Sequence, residues 1–152
     1  MKHLYILLLL LPAIANAQSP TDTIKAAVNK LFTAMQQADS NAIKDCFAPG
    51  AMLQSIVTDK TGNTVLRNST PADFATIVGK LTPHSADERI VFGSIQSDVT
   101  MATVWTPYRF YFNGQFSHCG VNSFQLVKLD GTWKIQYILD TRRKDQCVET
   151  AP

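Results

Sequence analysis

The chain has 152 residues, with 14 Lys and Arg against 12 Asp and Glu, and three cysteines. Its only basic cluster is Arg142-Arg143-Lys144, so the basic face or stripe that nucleic-acid binding requires is excluded. The length suits one domain with a single core, and no apolar run is long enough to span a bilayer.

The N-terminus, "MKHLYILLLLLPAIANA", has a basic Lys2, an apolar run from Leu4 to Leu11 and a small-x-small end at Ala15-Asn16-Ala17. That is the layout of a cleaved secretory signal. Residues 1–17 are expected to be removed, leaving residues 18–152 as one exported domain, periplasmic or extracellular, with no membrane anchor. In an oxidising compartment, Cys46, Cys119 and Cys147 predict one disulfide and one free thiol.

"TDTIKAAVNKLFTAMQQAD" predicts an amphipathic helix, with Ile24, Val28, Leu31 and Met35 on one face and Thr21 or Asp22 as cap. "SNAIKDCF" predicts a short second helix burying Ile43 and Phe47, stopped by Pro49-Gly50. "AMLQSIVTDKTGNTVLR" reads as two strands joined through Gly62. In "STPADFATIVGKL", Thr70 as cap, Pro71 at the first helical position and Asp73 closing a capping box predict a third helix. Its apolar face is Phe74, Ile77, Val78 and Leu81.

From Asp87 onward the pattern is long strands, about 88–97, 99–112, 115–129 and 132–141, with Asn113-Gly114 and Asp130-Gly131 as hairpin turns. Helices followed by an antiparallel meander give an α+β class.

Two-residue turns without bulges would place Arg109 opposite His118, Trp105 opposite Asn122 and Phe124 opposite Tyr137. One sheet face would then carry Trp105, Arg109, Tyr111, His118, Asn122, Phe124 and Tyr137, apolar at one end and polar at the other. That is the composition of a small-molecule pocket. The opposite face, with Val104, Tyr108, Phe110, Val121 and Ile138, suits a sheet-to-sheet homodimer contact. Asp140 falls on that second face unless a bulge reverses it.

His118 and Cys119 are adjacent in "NGQFSHCGV". Adjacent strand residues point to opposite faces, so they form neither a catalytic dyad nor half of a metal site. No metal or cofactor is expected. The same register brings Cys119 beside the strand that leads to Cys147, so Cys119–Cys147 is the favoured disulfide, and Cys46–Cys147 the competing one.

"LFTAMQQADSNAIKDCFAPGAML" and "VTMATVWTPYRFYFNGQFSHCGVNSFQLVKLDGTWKIQYILDTRR", with the helix between them, resemble the nuclear-transport-factor-two-like, or SnoaL-like, family. Its lumazine-binding branches are similar in layout. The resemblance implies a cystatin-like α+β fold, in which N-terminal helices pack on a strongly curved antiparallel sheet that forms a cone with a pocket. It also implies a frequent homodimer through that sheet. Family isomerases and cyclases place a carboxylate base just after the second helix, where this chain has Gln54 and Ser55.

Three readings follow. One is an exported domain that binds a small apolar or aromatic molecule, with Trp105, Tyr111 and Tyr137 as walls and Arg109, His118 and Asn122 as anchors for an anionic or carbonyl group. Another is an isomerase, cyclase or dehydratase with His118 as acid/base and Arg109 stabilising an oxyanion. The last is a non-catalytic dimerisation module.

Overall fold

The computed structural model describes residues 19–148; the signal segment expected at residues 1–17 lies outside the described residues. Helix α1 (Pro20–Gln36) begins earlier than expected. Ser19, not Thr21 or Asp22, is its cap, accepting from the Asp22 amide at 3.1 Å, and Pro20 suits the first helical position. The predicted stripe of Ile24, Val28, Leu31 and Met35 is buried. Asp39 caps α2 (Ser40–Asp45), whose Ile43 is buried. Strands β1 (Phe47–Thr58) and β2 (Thr64–Ser69) follow, then α3 (Pro71–Val78), where Thr70 and Asp73 form the predicted capping box.

The remaining strands are β3 (Ala86–Ile90), β4 (Ile95–Ser97), β5 (Met101–Phe112), β6 (Gln115–Leu129) and β7 (Thr132–Thr141). They complete a curved seven-stranded sheet in the order β2-β1-β7-β6-β5-β3, with β4 also on β5. The α+β class stands. The sheet is mixed rather than wholly antiparallel, because β1 pairs parallel with β7. That pairing brings the strand after α2 beside the C-terminal strand, a long-range contact that local pattern does not encode.

Both hairpin turns form as two-residue loops. Asn113, Gly114, Asp130 and Gly131 all have positive φ, which matches the twist of the flanking strands. Beyond each turn, however, a bulge intervenes. Tyr111 pairs with Phe116 but Phe110 pairs with His118, so Ser117 is an extra residue in β6. Leu126 pairs with Ile135 but Gln125 pairs with Tyr137, so Gln136 is extra in β7. Side chains alternate faces with a period of two, so each extra residue turns over everything beyond it relative to the neighbouring strand.

The corrections follow directly. Arg109 pairs with Cys119 rather than His118, Trp105 with Ser123 rather than Asn122, and Phe124 with Ile138 rather than Tyr137. Val104, Tyr108, Phe110 and Ile138, expected on an outer dimer face, point inward, with Val104 and Tyr108 each 2% exposed.

The core joins the α1 stripe, Ile43 and Phe47 to the inner side chains Ala102, Val104, Phe124, Leu126, Ile135 and Trp133. Helix α3 departs from the expected pattern. Ala75 and Val78 are its buried residues, while Ile77 is exposed. Val78 belongs to the core and Phe74 and Leu81 pack against it, and together with Ile77 they line a cavity between α3, α1 and the sheet.

Candidate functional site

The inner sheet face is organised in rungs. Leu53, Ile138, Phe124 and Val104 lie side by side across β1, β7, β6 and β5 and are apolar. The next rung runs Arg67, Ser55, Asp140, Asn122 and Thr106 across β2, β1, β7, β6 and β5, and every member is polar. Most of these side chains face a cavity of about 460 Å³, walled on the helix side by Leu31, Phe32 and Met35 of α1 and by the α3 stripe. An apolar chamber with a few convergent polar groups is the usual form of a small-molecule site.

The polar groups are ordered by one another. Asp140, 8% exposed, accepts from Arg142 Nε at 2.8 Å and from the Ser55 hydroxyl, and Arg142 Nη2 also donates to Ser55 Oγ at 3.2 Å. Asn122 Nδ2 donates to Glu88 Oε1 at 2.8 Å and to Thr106 Oγ1 at 3.4 Å. Tyr108 donates through its hydroxyl to the Thr141 carbonyl at 2.9 Å.

Among the described residues no cation is bonded to Glu88. Burial pushes its carboxyl from the ordinary 4.5 up to about 7, opposed by the Asn122 hydrogen bond and reinforced by the Asp140 charge. Burial, and then the charges of Glu88 and Asp140, raise the Tyr108 phenol. Burial, and then the Arg142 charge, lower the His118 imidazole, so the ring is neutral at neutral pH. The site therefore holds one carboxylate paired with a guanidinium and one carboxyl poised to exchange a proton near neutrality.

Of the residues expected to form the pocket, His118 and Asn122 line the cavity. His118 packs against the rings of Tyr108 and Phe110 at 5.7 and 5.0 Å. Trp105, Arg109, Tyr111 and Tyr137 do not line it. Trp105 is exposed on the outer face. The Arg109 guanidinium lies over the Phe116 ring at 5.8 Å and donates to the Val148 carbonyl at 3.3 Å. Tyr111 meets Phe116 edge-to-face and lies under Arg89, and Tyr137 bonds Gln54. The Ser117 bulge separates Arg109 from His118, and the Gln136 bulge turns Tyr137 outward and Asp140 inward.

Ser55, at one of the two positions where family isomerases carry a base, does face the cavity, while Gln54 bonds Tyr137 and Asn68. The acids that reach the site, Glu88 and Asp140, come from β3 and β7 instead. Glu88 was missed although a signal existed: it lies two residues before Ile90, which packs on the core, and alternation sends both inward.

His118 and Cys119 do point to opposite faces. Cys119 is bonded to Cys147, with Cα atoms 5.7 Å apart, and Cys46 is the free, buried cysteine. Backbone bonds between Cys119 and Arg143, at 2.8 and 2.9 Å, align the C-terminal segment on β6. The free thiol donates to the Ala42 carbonyl at 3.2 Å, and burial raises its pKa. Among the described residues no helix is long and apolar enough to cross a membrane.

An NTF2-like protein of unknown function from Shewanella baltica OS155 superposes with a TM-score of 0.63 at 14% identity, covering 85% of this chain and all of that one. A domain of unknown function with a cystatin-like fold from Nostoc punctiforme PCC 73102 also gives 0.63 at 14% identity, over 83% of this chain and 78% of that one. A ketosteroid isomerase-like protein from Erwinia carotovora atroseptica SCRI1043 gives 0.58 at 15% identity, over 82% and 96%. At such identities these similarities establish the fold. No curated protein matches the sequence. The family profile described as "Putative lumazine-binding" matches residues 19–137, most of the chain, and with the fold just described it places this protein in that family of NTF2-like domains.

Proposed function

We propose that this is an exported domain that binds a small, partly apolar molecule in the cavity between α1, α3 and the sheet. The observation that carries the reading is the step from the apolar rung at Phe124 to the polar rung at Asn122 inside one chamber. Export is supported by the signal-like N-terminus and by the Cys119–Cys147 bond. Self-association through the outer sheet face is part of the proposal, because Met52, Met101 and Trp105 stand exposed there.

The test fills the chamber. Val57 lines it, and small aromatic and aliphatic compounds are expected to raise the melting temperature of the parent protein but not that of Val57→Trp. Equal rises in both proteins would remove the cavity as the binding site.

A second reading, an isomerase-, cyclase- or dehydratase-type enzyme, is favoured by Glu88, which takes the acid/base role first assigned to His118. It predicts exchange of solvent deuterium into the carbon next to the carbonyl of small ketones, lost in Glu88→Gln. Exchange that survives that substitution would remove Glu88 from the role.

A further inference from the structure

Two cations line the cavity, and their circumstances differ. Arg142 is committed to Asp140 and Ser55. Arg67 stands at the β2 end of the polar rung, opposite Ser55, and among the described residues it makes no hydrogen bond or ion pair. Asp140 is paired with Arg142, and among the described residues no carboxylate is bonded to Arg67 on the same wall. The Arg67 charge stands at the edge of the chamber, at one end of the polar rung.

We propose that the cavity takes a small carboxylic acid with an apolar body, its carboxylate on Arg67 and its body against Leu53, Phe74 and Phe124. The inference rests on the small-molecule reading above and names its ligand class. A guanidinium offers two parallel N–H donors that match both oxygens of a carboxylate, and a neutral alcohol or amide cannot use the charge.

The groups facing Glu88 across the chamber are Tyr108 from β5, His118 from β6, Asp140 and Arg142 from β7, and Arg67 from β2. Among them Glu88 is pushed to about 7. As it ionises it adds a negative charge to the wall, so the acid binds more tightly below that pH than above it.

The test is calorimetric titration with a matched pair of probes, 4-phenylbutanoate and 4-phenyl-1-butanol, at about pH 6. The acid is expected to bind about tenfold or more tightly than the alcohol. Arg67→Met, at an exposed position, is expected to erase that preference and leave the alcohol's affinity unchanged. Equal affinities in the parent, or a preference that survives Arg67→Met, would overturn the inference and leave the small-molecule reading standing. Binding of neither probe also overturns it, and the broader reading then depends on the Val57→Trp comparison.

Discussion

Asn122 donates to Glu88 across the inner face at 2.8 Å, and the register places Asn122 directly beside Asp140. One amide thus stands between two carboxyl groups in opposite circumstances. Asp140 has a guanidinium and a hydroxyl on its oxygens. Glu88 has burial and a single amide, and burial dominates. The asymmetry arises because Arg142 lies two residues beyond Asp140 on the same side of the chain.

The first prediction follows from that asymmetry. Between its ordinary 4.5 and about 7, Glu88 keeps a proton in the native state that the unfolded chain has released. Its contribution is therefore fully present below the lower value and is lost as pH rises through the upper one, by on the order of 3 kcal/mol. Glu88→Gln keeps the acceptor for Asn122 and cannot ionise. The stability of the variant relative to the parent, measured by urea unfolding, is expected to rise across this window. A difference that stays flat with pH would show that Glu88 titrates alike in both states.

The disulfide spans a sequence separation of 28 residues. By the chain-entropy argument, closing such a loop stabilises the fold by about 3.5 kcal/mol. Reductant is expected to lower the melting temperature of the parent and to leave that of Cys147→Ser unchanged. Peptide mapping without reduction is expected to link Cys119 with Cys147 and leave Cys46 free.

Gly120 has no room for a side chain. A Cβ there would stand 1.8 Å from the Thr141 carbonyl oxygen and 2.9 Å from Tyr108 Cε1. The bare backbone lets Tyr108 reach that carbonyl on the strand end just before Arg142. Gly120→Ala is expected to destabilise the fold by about 3 kcal/mol or more. A melting temperature equal to the parent's would show that β6 and β7 yield here.

The outer face exposes Met52, Met101 and Trp105 at 45%, 56% and 48%, the residues on which the proposed self-association rests. Light scattering at micromolar concentration is expected to give a dimer mass, and Trp105→Asp a monomer with unchanged circular dichroism. A parent protein that is monomeric under those conditions removes the claim.

Much of this was legible in the chain alone, wherever neighbours in sequence carry the information. The α1 stripe of Ile24, Val28, Leu31 and Met35 is read from helical spacing, and the Thr70–Asp73 box from residues three apart. Asn113-Gly114 and Asp130-Gly131 declare their turns because only residues tolerant of positive φ fit them. The separate fates of His118 and Cys119 follow from strand alternation, and the Cys119–Cys147 bond was the favoured pairing. The signal-like N-terminus is an expectation from the sequence and lies outside the described residues.

What tertiary structure decided was which face of each strand looks inward. Ser117 and Gln136 are ordinary strand residues with nothing to mark them as bulges, yet each shifts the register by one. That shift sends Arg109, Trp105 and Tyr137 away from the cavity and brings Tyr108, Phe110 and Asp140 into it. The parallel pairing of β1 with β7 then carries Ser55 and Arg67 onto the Asp140 rung. The polar site joins residues from 55 to 142 and draws on six strands, and strand pairing at that range is chosen by how the whole curved sheet wraps over α1 and α3, which no local pattern encodes.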